Sequence, residues 1–373
     1  MRILILISEA PPVKSGIARV AEKLSTGLGE RGFDVDILSV ADIPRLEWGE
    51  IRLSSMPLKL KTLRQRLKNY DVIHLHGPVP TFSDIFLLFG LRDMGNEKPY
   101  LVYTHHAPVE FKTTITRPFL SVYNYFQERW SNLADHIVAS TPSYGQRLSR
   151  YVTADKLSVI PWGVDFERFY TPVEEKSDPF TVLFLGQIRP YKGLPVLLEA
   201  AKSMEDTRFW VIGDGHYSEH CRNIAQDYKI RDITFWGRVP DDEMVRLIKQ
   251  AHVIVLPSIT RSEAFGIALL EGMAAGLVPV ASHLPGVADL VGNEGFTFQP
   301  GNAKALLQIL LRLHNDASLR NHLAQVAQEK ARLYPWERSI FGYERIFTQF
   351  GSYPIEIPRL QDAVKEPYYP TRF

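Results

Sequence analysis

The sequence is nearly devoid of cysteine: Cys221 is the only one in 373 residues. No disulfide can form within the chain, and a reducing compartment is the simple inference. It also lacks net charge, since 43 Lys and Arg against 42 Asp and Glu leave +1. That balance gives no general case for a nucleic-acid partner. Long hydrophobic runs are missing too. The apolar stretch at residues 3–7, behind Met1 and Arg2, is too short for a signal-peptide core and has no cleavage site after it. The stretch at 85–89 is far below the roughly 20 residues of a membrane span. These absences predict a cytoplasmic chain with no integral membrane segment, and they leave contact with a membrane surface open. No internal repeat or low-complexity tract occurs. No G-x-G-x-x-G follows the first strand, so a nicotinamide-binding reading has little support.

What is present is a steady alternation of strand-like and helix-like segments. The length is ample for two domains. Residues 3–7 read as a strand buried on both faces. Residues 15–31 read as a helix, because Ile17, Val20, Ala21, Leu24 and Leu28 recur at three- and four-residue spacing, and Gly32 stops it. Strands are expected at 35–40, 71–76, 100–103, 136–139 and 158–160. The stretch 163–179 is Gly- and Pro-containing with little apolar pattern and reads as a domain linker. The rhythm then restarts, with strands at 181–185, 209–212, 233–235, 253–256, 278–281 and 295–298. Helices are expected at 195–202, 218–228, 241–250 and 264–275. The fold class is therefore α/β: two Rossmann-like, doubly wound parallel-sheet domains facing across a cleft, with ligands outside the carboxyl ends of the strands. The expected division is 1–168 and 178–336, with 337–373 crossing back onto the first domain.

The most informative segment is SITRSEAFGIALLEGMAAG, residues 258–276. Glu263 and Glu271 stand eight residues apart. If both lie on one helix they are roughly 12 Å apart along its axis and share a face. Amides near Ala264, Phe265, Gly266 and Ile267 would open that helix and offer a phosphate site. One acid for ribose hydroxyls, amides for a diphosphate and one acid for sugar hydroxyls is the layout a sugar nucleotide needs. The plainer alternative is that Glu263 caps the helix and Glu271 sits on a solvated face. Glu271 lies among Leu269, Leu270, Met273 and Ala274, however, where a casual charge is out of place.

This segment resembles the E-x7-E motif of family 4 glycosyltransferases, which have the GT-B fold. PWGVDFERF (161–169), LFLGQIRPYKGLPVLLEA (183–200), VIGDG (211–215), ITFWGRV (233–239) and VPVASHLPGVADLV (278–291) are similar to family segments in the same order. The resemblance implies a retaining glycosyltransferase that moves a sugar from a nucleotide-diphosphate sugar to a glycan or lipid-linked acceptor, a UDP-sugar being favoured and GDP-mannose next. It implies that Lys192 grips the diphosphate. The family's Arg is replaced by Gln187, and Arg189 is the candidate substitute; a solvated surface charge is the alternative for both basic residues. Gly16 matches a glycine that lets backbone approach the donor phosphates. Arg238 and Val239 match the region beside the base. His106, in THHAPVE, matches a functional histidine near the donor sugar, with His105 as second choice. Two histidines at a strand end also suggest a metal, but no acid lies at ligand spacing, so no metal and no cofactor are expected. The D-x-D at Asp34 and Asp36 is better explained by strand alternation.

For the acceptor, residues 52–68 carry six basic residues and no acidic one, with Leu60, Leu63 and Leu67 on one helical face. Such a helix can lie on an anionic membrane. Phe119, Tyr123, Tyr125, Phe126 and Trp130 follow in an aromatic-rich stretch. A solvated helix face and an ordinary aromatic core are the alternative. Two further functions stay open: a sugar-nucleotide 2-epimerase, and a non-catalytic nucleotide-sugar-binding protein, toward which only Gln187 points.

Overall fold

The computed structural model describes residues 1–11, 15–39, 45–48, 51–54, 56–92, 94–95, 98–110, 117–173, 176 and 179–348. In chain order the strands are β1 (Arg2–Ile7), β2 (Asp34–Ser39), β3 (Arg45–Trp48), β4 (Ile51–Ser54), β5 (Val72–Gly77), β6 (Tyr100–His105), β7 (His136–Ala139), β8 (Leu157–Val159), β9 (Thr181–Leu185), β10 (Arg208–Ile212), β11 (Ile233–Gly237), β12 (Val253–Leu256), β13 (Val278–Ser282) and β14 (Phe296–Phe298). The helices are α1 (Gly16–Gly29), α2 (Met56–Leu67), α3 (Ser83–Ile85), α4 (Arg117–Trp130), α5 (Pro142–Leu148), α6 (Phe166–Phe169), α7 (Leu194–Ala201), α8 (Ser218–Asp227), α9 (Asp241–Gln250), α10 (Ile267–Ala274), α11 (Val287–Val291), α12 (Ala303–Asn315), α13 (Ala317–Arg332) and α14 (Trp336–Thr348).

Backbone proximity divides the chain into two units. The first holds Met1–His106, Ser121–Pro161 and the chain from Glu337; the second holds Ala107–Leu120 and Trp162–Trp336. The boundary between Pro161 and Trp162 falls just before the stretch that reads as a linker. That stretch is not structureless: Val164 bridges to Pro335, α6 forms within it, and Trp162, Val164, Phe169 and Val173 are buried. Its apolar residues are spaced too irregularly to reveal this in sequence.

The sheet of unit 1 has the order β2-β1-β5-β6-β7-β8, and every pair is parallel. Its strands are apolar runs because helices cover both faces: residues 3–7 are all buried. Ser15 caps α1 by accepting a hydrogen bond from the Ala18 amide at 3.1 Å. Ala18, Val20, Ala21, Leu24 and Leu28 form its buried stripe. Asp34 and Asp36 of β2 serve the sheet edge: Arg2 pairs with Asp34 at 2.9 Å, and the Tyr70 hydroxyl donates to Asp36 at 2.6 Å. The antiparallel hairpin β3–β4 is not expected from the sequence, since each strand is only four residues long. α14 belongs to unit 1; its Ile340, Tyr343, Ile346 and Phe347 are buried.

Unit 2 repeats the plan with the order β11-β10-β9-β12-β13-β14, again all parallel. From β9 the chain winds outward through β10 and β11, then returns to the other side of β9 with β12. The strand order therefore reverses between β9 and β12, where ligands of such sheets bind. Among the described residues, no helix is long and apolar enough to cross a membrane.

Candidate active site

The loops that leave β9, β10 and β12 are stitched together at their carboxyl ends. The Gly186 amide donates to Ile212 O at 3.0 Å, and the Ile188 amide to Asp214 O at 3.0 Å. On the other side the Ile259 amide donates to Tyr191 O at 2.8 Å. Lys192 ends the β9 loop, and the turn into α7 needs Gly193. Its φ is +68°, and an added Cβ would stand 2.0 Å from Pro257 O. Only glycine lets the two loops approach this closely.

That approach brings Lys192 to the segment 258–263. Its Nζ lies 2.5 Å from Glu263 Oε2, and the Ser258 hydroxyl donates to the same oxygen at 3.2 Å. The lysine and glutamate side chains are 14% and 10% exposed, so the pair is largely withdrawn from water but open on one side. Burial by itself favours a neutral amine; the Glu263 carboxylate outweighs it and raises the Lys192 pKa, holding the ammonium charged. Arg189 is close enough for its charge to oppose that of Lys192. Gln187 and Arg189 are both half-buried in the same loop.

Glu263 does not lie on the helix with Glu271. α10 starts at Ile267, and its cap is Gly266 at φ +86°, a left-handed turn without a side-chain cap. The expected helix over 264–275 and the 12 Å axial spacing are therefore corrected. The sequence over 263–266 is helix-compatible except for Gly266, and the Lys192 contact holds Glu263 in the preceding loop instead. Of the amides expected to open the helix, only Ile267 lies in its first turn; Ala264 and Phe265 precede the cap. Phe265 is buried edge-on to Tyr334, with ring centres 6.3 Å apart. Glu271 is 5% exposed in the helix body beside fully buried Leu269, Leu270 and Met273. The solvated-face alternative for Glu271 and the surface-charge alternative for Lys192 do not hold. Arg238 is exposed and Val239 half-buried, just past the carboxyl end of β11.

Sequence reasoning missed Ser258 and a clasp in the same unit. The Arg261 guanidinium and its amide both donate to the Glu110 carboxylate, the amide at 2.8 Å, and the Ser262 hydroxyl donates to Glu110 O at 3.2 Å. Glu110 ends the THHAPVE segment, so its acidic residue next to the histidines was the available signal.

In unit 1, Gly16 is the exposed first residue of α1; residues 12–14 of its loop lie outside the described residues. His105 and His106 part company. His105 is fully buried with Tyr103 and Tyr144, at ring-centre distances of 6.1 and 6.4 Å. It is thereby removed as second choice. His106 lies one residue past β6, half-buried, with its amide bonded to Gly77 O at 2.8 Å. Its Nε2 is 3.0 Å from His76 Nδ1. Burial lowers the His106 pKa to about 4. Among the described residues, no group of three or more His, Cys, Asp or Glu is arranged to hold a metal ion.

The α4 helix buries several polar residues and exposes several apolar ones. Asn124, Gln127 and Glu128 face the interior, with Glu128 paired to Arg147 at 2.5 Å. Val122, Tyr125 and Phe126 are exposed, as are Phe89 and Leu133 nearby in sequence or contact. Of the basic stretch 52–68, side chains are described from residue 61 on; Lys61, Arg66 and Lys68 are exposed, and Arg64 donates to the Phe89 and Gly90 carbonyls.

Two open parallel sheets in succession, with glycine-bearing and charged loops gathered at a strand-order reversal, define a doubly wound α/β protein of two units. Residues 14–168 match the family described as Glycosyltransferase Family 4, and residues 165–330 match Glycosyl transferases group 1. The chain is 28% identical over 369 residues to the O-antigen chain mannosyltransferase C of Escherichia coli, covering 91% of this chain and 95% of that one. It is 30% identical over 280 residues to the phosphatidyl-myo-inositol mannosyltransferase of Mycobacterium leprae, covering 72% and 70%. Among solved structures, Anabaena HepE in complex with UDP-glucose superposes with a TM-score of 0.71 at 18% identity, over 94% of this chain and 100% of that one. The chain belongs to glycosyltransferase family 4, and its fold is GT-B.

Proposed function

We propose that this glycosyltransferase transfers a sugar, with retention of configuration, from a nucleotide-diphosphate sugar to a glycan or lipid-linked acceptor. The observation that carries the reading is the Lys192–Glu263 pair, joined at 2.5 Å beside the start of α10 and the strand-order reversal. A charged lysine next to helix-start amides suits a diphosphate. A carboxylate beside it suits sugar hydroxyls. In this reading Lys192, Arg189 and the first amides of α10 stabilise the departing diphosphate. Glu263 and His106 orient the sugar, Glu271 holds the ribose, and Arg238 and Val239 lie along the base.

The step is written as front-face transfer. The bond from the anomeric carbon to the diphosphate oxygen breaks. The acceptor oxygen bonds to that carbon on the same face, and the acceptor proton passes to the departing phosphate oxygen. No protein nucleophile is required, and no metal is invoked for the charge. A UDP-sugar is one donor candidate, and the HepE complex favours it; the two mannosyltransferase relatives favour a mannosyl donor. The exposed Tyr125 and Phe126 of α4 and the exposed basic residues Lys61 and Arg66 of α2 support a lipid-linked acceptor and peripheral contact with an anionic membrane.

Thermal-shift titration with UDP, GDP, ADP and their sugar conjugates tests the donor. A ligand at 100 times its Kd adds about 2.7 kcal/mol; stabilisation by none of them would overturn the reading. NMR of the product's anomeric proton tests retention. Co-sedimentation with anionic vesicles tests the membrane: Phe126→Ser should reduce it, and equal sedimentation would discard that contact.

A further inference from the structure

Glu110 grips the turn that ends at Glu263. Thr260 to Glu263 form a tight turn, closed by the Glu263 amide donating to Thr260 O at 3.3 Å, with Arg261 and Ser262 at its centre. The closing bond of such a turn leaves the amides of the two central residues to find partners elsewhere. The Ser262 amide donates to Thr260 Oγ1 at 3.4 Å. The Arg261 amide leaves the turn and donates to Glu110 Oε2 at 2.8 Å. The Arg261 guanidinium donates to the other oxygen of the same carboxylate, and the Ser262 hydroxyl donates to Glu110 O at 3.2 Å. Glu110 therefore holds one backbone amide and both central side chains, and it belongs to the same unit as the turn.

Other contacts tie the ends of this segment. The Ile259 amide donates to Tyr191 O at 2.8 Å, and Glu263 meets Lys192 and Ser258. Glu110 holds the middle. The Glu110 and Arg261 side chains are 24% and 41% exposed, so water screens their charges and the Coulombic gain is small. What the carboxylate contributes is geometry: one oxygen fixes the backbone and the other fixes the side chain of the same residue. Arg261 and Ser262 immediately precede Glu263, and a misplacement of about 1 Å in a group that orients a substrate can cost about 100-fold in rate.

We propose that Glu110 is a positioning residue for transfer: by holding the centre of the 260–263 turn it places the Glu263 carboxylate against the donor sugar. The proposal rests on the reading that Glu263 orients that sugar.

The test uses the full-length protein as wild type, Glu110→Ala, Glu110→Gln, Glu263→Ala and the Glu110→Ala/Glu263→Ala double variant. Turnover is followed as release of UDP from UDP-glucose or of GDP from GDP-mannose, whichever the wild type cleaves. Glu110→Ala should lower kcat by roughly 10- to 100-fold and change donor KM less. Glu110→Gln, which keeps an oxygen for the Arg261 amide, should recover part of that loss. In the Glu263→Ala background the same Glu110→Ala change should cost less than about threefold, because no carboxylate remains to be placed. An undiminished cost there would overturn the proposal, as would a raised KM at unchanged kcat. Should Glu110→Ala fail to fold, Glu110→Leu, which fills the space without an acceptor, enters the same cycle with the same outcomes.

A crystal structure of Glu110→Ala reads the placement without any turnover. Glu263 should be displaced from Lys192; an intact Lys192–Glu263 contact with the turn unmoved would overturn the proposal. Full turnover by Glu263→Ala would instead discard the role of Glu263 in the reaction, and the crystallographic result stands apart from it.

Discussion

Lys192 and Glu263, 71 residues apart in sequence, share a 2.5 Å ion pair that water barely reaches. Glu263 is the main charged partner of Lys192. Lys192→Met leaves a mostly buried carboxylate that keeps the Ser258 hydroxyl as a donor but has lost its cation, so a loss of about 1–3 kcal/mol in urea unfolding is expected. Glu263→Gln should cost a similar amount. The double variant should lose less than the sum, because the second change removes a charge already stranded by the first. Both single variants should lower kcat/KM by about 100-fold or more in a transfer assay, the scale of removing one group that stabilises a developing charge.

The loop crossing at Gly193 predicts a sharp steric limit. Gly193→Ala sets a methyl group 2.0 Å from Pro257 O at a φ of +68°. It should cost about 1–3 kcal/mol and lower kcat by displacing Lys192. By contrast Gly301→Ala, whose φ is +82° with nothing near the new methyl, should cost about 1 kcal/mol and leave kcat unchanged.

Acid should weaken unit 1 selectively. Burial lowers the pKa of His74 and His105 to about 3, and of His106 and His136 to about 4. All four belong to unit 1. Each is neutral when folded, but in the unfolded chain it takes a proton near pH 6.5. The unfolded state thus binds more protons between about pH 6.5 and pH 4, and stability rises with pH there. Each histidine removes up to about 1.4 kcal/mol per pH unit as pH falls through that window. Calorimetry should show one transition moving down steeply between pH 6.5 and 4, with a second less affected. Parallel shifts of all transitions would refute it.

Arg189 and Gln187 supply a compensation test. If Arg189 provides the charge that Gln187 lacks, Arg189→Ala should weaken donor binding by about tenfold, one charge-assisted contact of roughly 1.4 kcal/mol. Adding Gln187→Arg to that variant should recover most of it. Isothermal titration with the preferred nucleotide measures both steps, and no recovery would leave position 187 outside the phosphate site.

Chelation is a further check. With charge neutralisation assigned to Lys192, Arg189 and α10, transfer should continue at its ordinary rate in excess EDTA. A rate lost on chelation and regained with Mg2+ would require a different account of the departing diphosphate.

Most of the strand frame was legible because parallel strands are continuous apolar runs. Residues 136–139, 181–185 and 253–256 end where the apolar residues end. The family resemblance was carried by short motifs at those strand ends. The start of α10 was not legible, because it depends on Gly266 turning left-handed and on a lysine 71 residues upstream pulling Glu263 aside. The burial of Val164 and Phe169 was hidden for the same reason, since Val164 meets Pro335 from the far end of the unit. Pairing of His76 with His106 follows from strand register, which no single segment discloses. The inverted face of α4 runs against the rule that apolar stripes point inward.

The late position of α14 has a consequence for how the molecule is made. A ribosome delivers all six strands of the first sheet before residue 160, then the whole of unit 2, and only afterward the helix carrying Tyr343 and Phe347. Until that helix emerges, His74 of β5 lacks the Tyr343 and Phe347 rings that pack against it. The second unit therefore completes its core first during synthesis, and the first waits for α14. Premature termination before Tyr343 would yield a chain with an intact second unit and a first unit lacking the α14 residues that pack on His74, a species that quality-control proteases should recognise.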